Sequence, residues 1–253
     1  MNKKISVIIP TLQKNKELLI NLLHTLSNDS KVDEIIVIDN SLKGIEENIE
    51  KLKLITPKEN LFVNPSWNLG VKEAKNDIIA LLNDDITIPD NFCSNITSKL
   101  KPEMGVVGYF EDFVEITHDI VQKPQQTAIM LKEINARPEQ WGIAIFFYKT
   151  SYHEIPQDLK ILFGDDWLIH KNNEAKKQNY MILGQKIYHY SSMSVRSFST
   201  ELFKKERKIY KKHTFKWYQH IFDIEKRFYG YRIRLFGINS KVIPYKKEAK
   251  CQK

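Results

Sequence analysis

Two kinds of apolar pattern alternate along the first half of the chain. Runs such as Ile5-Ser6-Val7-Ile8-Ile9 and Ile35-Ile36-Val37-Ile38 carry almost no polar alternation, as expected of strands buried on both faces of a parallel sheet. Between them, Leu18, Leu19, Leu22, Leu23 and Leu26 recur at helical spacing, which predicts an amphipathic helix over 15–26. The same reading predicts strands over 4–10 and 34–39, a helix over 45–54, a short strand at 61–63, a helix over 67–75 and a fourth strand over 77–82. A helix toward residue 100, capped by Asp90, and a strand over 104–110 complete this half. Strand and helix in alternation imply right-handed βαβ units, hence an α/β fold with a mostly parallel sheet flanked by helices.

Past residue 110 the alternation weakens. Residues 113–134 read as a hairpin or a lid-like excursion, 141–148 as an aromatic strand, 165–178 as a helix and 185–190 as a last short strand. From 200 to 228, Phe203, Tyr210, Trp217, Tyr218, Phe222 and Phe228 are interleaved with Lys204, Lys205, Arg207, Lys208, Lys211, Lys212 and Lys216, a pattern read as long helical segments. The expected organisation is one compact domain over 1–199, with halves 1–110 and 111–199, followed by a basic, aromatic, helical C-terminal extension over 200–253.

Charge sharpens that division. The net +8 is uneven, since residues 200–253 hold 16 Lys and Arg against 5 Asp and Glu, while residues 1–199 hold 23 against 26. A basic extension on a mildly acidic body suits an anionic partner, either lipid headgroups or nucleic acid. A composition rich in Lys, Asn and Ile accounts for the same lysines without any partner. No apolar run approaches the roughly 18 residues of a membrane span, and Met1-Asn2-Lys3-Lys4 leads directly into a strand, so neither a signal peptide nor an anchor is expected. Cys93 and Cys251 match no zinc or redox spacing, which suits a reducing cytoplasm.

Chemistry concentrates where the strands end. Pro10-Thr11 closes the first, Asp39-Asn40-Ser41 the second and Asn83-Asp84-Asp85 the fourth. C-terminal ends of neighbouring parallel strands share one rim, where open α/β sheets bind ligands. There Asp39 can accept hydrogen bonds from a base or ribose, and Asp85 can hold Mg²⁺ or Mn²⁺, whose shell substrate phosphates complete. Taken singly, each cluster is equally a solvated Asx turn.

Ile5-Ser6-Val7-Ile8-Ile9-Pro10-Thr11, then Ile35-Ile36-Val37-Ile38-Asp39-Asn40-Ser41, then Asn64-Pro65-Ser66-Trp67-Asn68-Leu69-Gly70, then Leu82-Asn83-Asp84-Asp85 resemble, in order and spacing, the signature of the family 2 glycosyltransferases of GT-A fold. The resemblance covers about residues 4–195. It implies a Rossmann-like GT-A domain and a nucleotide-diphosphate-sugar donor, a UDP-sugar first among the candidates. Pro10, Thr11, Asp39, Asn40, Asn68, Gly70, Asn83 and Asp84 would then lie on the donor side, and Asp85 would be the last carboxylate of the family's Asp-x-Asp metal motif. Asn83 departs from that motif, and an amide holds a cation less strongly than a carboxylate.

In the second half, Phe163-Gly164-Asp165-Asp166-Trp167-Leu168 is similar to the family's acidic element at the start of a helix. It implies Asp166 as general base, with Asp165 beside it. Inversion needs such a base to take the acceptor proton, although a solvated helix N-terminus would look the same. By the same likeness His189 completes the metal site, although a lone histidine is equally a half-buried polar residue, while Trp141, Gly142 and Trp167 line the acceptor side, Trp141 either stacking on a sugar or base or filling the core; Ser191, Ser192 and Ser194 either meet the diphosphate or end the strand.

The implied enzyme is an inverting hexosyl- or pentosyltransferase assisted by Mn²⁺ or Mg²⁺. It would be cytoplasmic, peripheral at the inner leaflet, and act on a bacterial surface saccharide or lipid-linked glycan. The basic extension suits equally a DNA glycosyltransferase of the phage type that modifies a hydroxymethylated base. Asn83 leaves open an inactive sugar-nucleotide-binding or scaffold protein.

Overall fold

The unbroken apolar runs become the interior strands. The computed structural model describes residues 3–110, 123–138, 141–190, 199–214, 222–227, 230–235 and 238–244. Its elements begin with β1 (Ile5–Thr11), α1 (Lys16–Ser27), β2 (Val32–Asp39), β3 (Leu52–Ile55), α2 (Val63–Glu73), β4 (Ile78–Leu82), β5 (Ile86–Thr87), α3 (Phe92–Lys99) and β6 (Val107–Phe110). Next come β7 (Met130–Ile134), β8 (Trp141–Tyr148), α4 (Gly164–Glu174), β9 (Asn179–Leu183), β10 (Tyr188–His189), α5 (Thr200–Thr214), β11 (Phe222–Arg227), β12 (Gly230–Leu235) and β13 (Ile238–Pro244).

Eight strands form one sheet in the order β3-β2-β1-β4-β8-β6-β9-β7. The half built from β3, β2, β1 and β4 is parallel throughout. β8 runs antiparallel to both β4 and β6, and β7 runs antiparallel to β9 at the far edge. The sheet needs apolar residues on both faces because each face is covered. On one side Val7, Ile9 and Val37 pack with Leu19, Leu22 and Leu23 of α1 and Phe92 and Ile96 of α3. On the other, Ile8, Ile36 and Ile38 pack with Trp67 and Val71 of α2 and Leu168 and Ile169 of α4. Asn15 starts α1 by accepting the Leu18 N–H at 3.1 Å, which satisfies one of the free donors of the first turn. Gly70 lets α2 approach the sheet closely, since a Cβ there would stand 2.3 Å from Cγ2 of Ile8.

Several expected elements are corrected. Residues 45–54 form no helix: Gly44 and Lys51 take positive φ, and Leu52–Ile55 instead gives β2 an edge partner, pairing with Ile35–Ile38. Residues 61–63 are not a strand, because Phe62 turns with φ 67 and α2 begins at Val63, with Pro65 in the first turn, where its missing N–H costs nothing. α3 starts after Asn91 in a left-handed conformation with no side-chain cap, so Asp90 does not cap it. The helix expected to reach 178 stops at Glu174, and Asn179–Leu183, which carried no strong signal, pairs with β6 and β7. The short strand expected over 185–190 is only Tyr188–His189.

Among the described residues the C-terminal extension is helical only in α5. β11, β12 and β13 form a three-stranded antiparallel sheet, in which Ile224 pairs with Ile233 and the alternation of apolar and charged residues has strand rather than helix period. Residues 113–122, Ser191, Ser192, Ser194, Trp217 and Phe228 lie outside the described residues. Among the described residues no helix is long and apolar enough to cross a membrane.

Candidate active site

The parallel register brings three strand ends together. Thr11 stands opposite Asp39 across β1 and β2, and Pro10 lies opposite Ile38 one step before them. The Thr11 hydroxyl donates to Oδ2 of Asp84 at 2.6 Å and accepts the Gln13 N–H at 2.8 Å. Asp39 is buried; its Oδ1 accepts the Ser41 N–H at 3.0 Å and the Ser41 hydroxyl at 2.6 Å, and its Oδ2 accepts the Gly44 N–H at 2.7 Å. Burial alone would raise its pKa, but the hydrogen bonds from Ser41, Gly44 and Gln13 outweigh it and hold the carboxyl below its ordinary value. Asp84 goes the other way. Burial first, then the neighbouring Asp85 charge, push it up to about 6 despite the Thr11 hydrogen bond.

A carboxyl with a depressed folded-state pKa contributes stability that is present above its unfolded pKa and lost as the pH falls through the folded one. Asp39→Asn therefore costs most near neutrality, and the cost shrinks below the ordinary carboxylate range, where wild-type Asp39 is also protonated. Urea unfolding of both proteins at pH 7 and pH 3 measures this. A stability difference independent of pH would contradict it.

Asp85 meets His189 through a small two-stranded ladder. β5 and β10 pair Ile86 with His189, the Tyr190 N–H donates to the Asp85 carbonyl at 2.9 Å, and Nε2 of His189 lies 3.1 Å from Oδ1 of Asp85. Ligands about 2.1 Å from a cation on adjacent octahedral positions lie about 3.0 Å apart, so one Mg²⁺ or Mn²⁺ fits between these two atoms with little movement of either. Among the described residues no cluster of three His, Cys, Asp or Glu forms there, so most of the shell would come from phosphate oxygens and water. The Asn83 backbone N–H donates to the Ile143 carbonyl at 3.0 Å and ties the end of β4 to β8.

That tie links the rim to the acidic pair. Next to Ile143, Gly142 takes φ +113, and a Cβ there would stand 2.8 Å from Oδ2 of Asp165. Only glycine lets the first residues of β8 lie against that carboxylate. Asp165 and Asp166 form the first turn of α4, where the helix dipole favours negative charge, and Oδ1 of Asp165 accepts the Asp166 N–H at 2.9 Å. Arg137, from the β7–β8 connection, reaches both carboxylates, with Nε 3.0 Å from Oδ2 of Asp166 and 3.5 Å from Oδ2 of Asp165. A lone arginine in an irregular segment carried no signal in the sequence.

Other residues expected in the site serve its framework. Asn40 donates to the Ser66 hydroxyl at 3.0 Å and accepts the Leu61 N–H at 2.8 Å, binding the end of β2 to the entry of α2. The Asn68 amide donates to the Ile155 carbonyl at 2.8 Å and accepts the Ile155 N–H and the Tyr152 hydroxyl at 2.9 and 2.6 Å. It is engaged with this loop, and Gly70 with Ile8. Trp141 is 4% exposed and lies so close over Gly108 that a Cβ there would strike its ring, which makes it a core side chain rather than an acceptor platform. Trp167 gives its indole N–H to the carbonyls of His153 and Glu154 at 3.2 and 3.0 Å and meets His213 of α5 edge-on.

A mostly parallel sheet with helices on both faces and acidic groups gathered at its strand ends is a GT-A, Rossmann-like α/β fold. Residues 6–172 match Glycosyl transferase family 2, and the chain belongs to that family. Among solved structures, S. aureus TarS 1–349 in complex with UDP is similar in fold, with a TM-score of 0.53 and 17% identity over 80% of this chain and 63% of that chain. S. aureus TarS 1–349 gives a TM-score of 0.48 and 15% identity over 74% of this chain and 60% of that one. The chain thus spans less than two thirds of the length of these structures. No curated protein sequence matches it.

Proposed function

We propose that the chain transfers a sugar from a nucleoside diphosphate donor, a UDP-sugar first among the candidates, to an acceptor hydroxyl with inversion. One observation carries this reading: the start of β8 joins the rim to the acidic pair, with Ile143 bonded to Asn83 and Gly142 against Asp165. A donor bound at the ends of β1, β2 and β4 therefore has its reacting end directed toward α4, within a catalytic unit spanning 1–199.

The roles follow from the chemistry of each group. Thr11 and Asp39, both buried, shape the nucleoside side of the rim, Asp39 by holding the Ser41–Gly44 turn through its carboxylate. Asp85 and His189 would hold the divalent cation, which would supply charge neutralisation for the departing diphosphate. Asp166 takes the acceptor proton from the face opposite the leaving group, while Arg137 fixes its direction and Asp165 supports it. Asn83 does not remove the metal site on this reading, because the two proposed ligands lie elsewhere.

The proposed acceptor is a bacterial surface saccharide or a lipid-linked glycan, with the reaction in the cytoplasm and the inner leaflet as the surface touched. Lys204, Lys208 and Lys212 are exposed at four-residue spacing along α5, which supports contact with an anionic partner. Incubation of UDP-, GDP-, CDP- and dTDP-sugars with Mn²⁺ and either a saccharide acceptor or hydroxymethylated DNA tests the reading. Release of nucleoside diphosphate with the saccharide is expected. Release only with DNA would move the acceptor to nucleic acid, and no release with any pair would favour an inactive nucleotide-sugar-binding protein.

A further inference from the structure

The first helix of the C-terminal extension carries one acidic residue among its lysines that faces inward. Glu206 is 3% exposed, although Lys204, Lys205, Arg207 and Lys208 surround it in sequence. Its carboxylate accepts three consecutive backbone N–H groups of the segment before α4, from Lys160 at 3.3 Å, Ile161 at 3.1 Å and Leu162 at 3.2 Å. Successive N–H groups turned toward one point form an anion-binding nest, and here the chain fills the nest with its own carboxylate. Asn64 of α2 holds the carbonyl side of the same segment, donating to Leu159 and Leu162 at 3.1 Å each.

The pinned segment leads straight into the acidic pair. Phe163 follows Leu162 with φ 61, a left-handed conformation that is costly for an aromatic residue and persists only where its surroundings enforce it. α5 supplies those surroundings: Tyr210 stacks on Phe163 at 5.4 Å between ring centres and Phe203 lies against it at 5.2 Å. Gly164 then packs without a Cβ against Asn64 and Trp67, and Asp165 and Asp166 follow as the first turn of α4.

We propose that Glu206 is a positioning residue for the Asp165–Asp166 pair, so that α5 is part of the catalytic apparatus rather than an appendage. This rests on the reading of Asp166 as the base. Glu206 fixes the backbone from Lys160 to Leu162, the aromatic contacts fix Phe163, and together they set the direction in which α4 presents its first carboxylates. The donor rim lies on other strands and is untouched by this contact. Loss of Glu206 therefore acts on turnover and not on donor affinity.

The test compares Glu206→Ala, Glu206→Gln, Phe203→Ala and Asp166→Asn in the full chain, with kcat, UDP affinity and circular dichroism measured for each. A displacement of about 1 Å at a reacting group can cost up to about 100-fold, so Glu206→Ala is expected to lower kcat by about 10- to 100-fold with UDP affinity unchanged. The glutamine, which keeps an acceptor oxygen, restores part of that loss, and Phe203→Ala, on an exposed side chain, gives a smaller one. In an Asp166→Asn background, Glu206→Gln should cost nothing further. Normal kcat in both Glu206→Gln and Phe203→Ala overturns the proposal, as does an equal loss of kcat and UDP affinity, or a loss that persists in full beside Asp166→Asn. Normal turnover in Asp166→Asn alone overturns the reading of the base, and the positioning role falls with it.

Discussion

Asp166→Asn is expected to lower turnover by about 10²–10⁴-fold while leaving donor affinity unchanged, the usual range for a lost general base. That is about 3–5 kcal/mol of transition-state stabilisation. The change is nearly isosteric, and the first turn of α4 keeps its other contacts, including the Asp165 bond to the residue 166 N–H. An amide loses the ion pair with Arg137 and cannot take the acceptor proton. Asp165 is a weak substitute because Gly142 lies directly against its Oδ2. Single-turnover kinetics with saturating donor separates the chemical step from binding. Near-normal turnover would move the base away from Asp166, to Asp165 first.

The second large effect falls on the other carboxylate. Asp85→Ala removes one of the two proposed protein ligands and leaves His189 without the oxygen 3.1 Å from its Nε2. Partners that only support a metal ligand cost about 10–100-fold in affinity when removed, so loss of a ligand itself should cost Mn²⁺-dependent donor binding at least about tenfold. Titration of UDP with and without Mn²⁺ against both proteins measures this. The wild type should bind more tightly with the cation, and Asp85→Ala should bind equally weakly in both conditions. Equal wild-type affinity with and without Mn²⁺ would remove Asp85 and His189 from a metal role.

Much of the fold over residues 1–110 was legible because its signals are local. Continuous apolar runs mark strands covered on both faces, and the polar residues that end them stand on the rim because parallel strands begin and end in register. The acidic pair was legible as a pair, since two carboxylates opening a helix make a short, ordered pattern. What escaped depends on long-range contact. Arg137 reaches Asp165 and Asp166 from an irregular segment 28 and 29 residues upstream, where nothing in the local pattern marks it. β3 replaced a predicted helix because the free edge of β2 demanded a partner, and four apolar residues over 45–54 fit either period.

The aromatic residues misled for a related reason. Trp141 and Trp167 look like sugar platforms by type, yet one is packed over Gly108 and the other holds the 153–154 backbone; residue type gives the chemistry available, and burial decides whether a ligand can reach it. Glu206 did leave a trace. It shares the apolar stripe of Leu202, Ile209 and Tyr210 at helical spacing, and an acid on the buried face of a cationic helix calls for a partner inside. Net charge alone concealed it, because sixteen basic residues made the whole extension look solvent-facing.

The most direct test of a cation-assisted nucleotide-sugar site is the melting temperature of the full chain against a panel of nucleotide sugars, with and without Mn²⁺. A ligand that binds only the native state raises the melting temperature. The expected result is a rise for one nucleotide class, largest with Mn²⁺ present and lost in Asp85→Ala. A flat panel in wild-type protein with Mn²⁺ and with Mg²⁺ would contradict the proposed donor site.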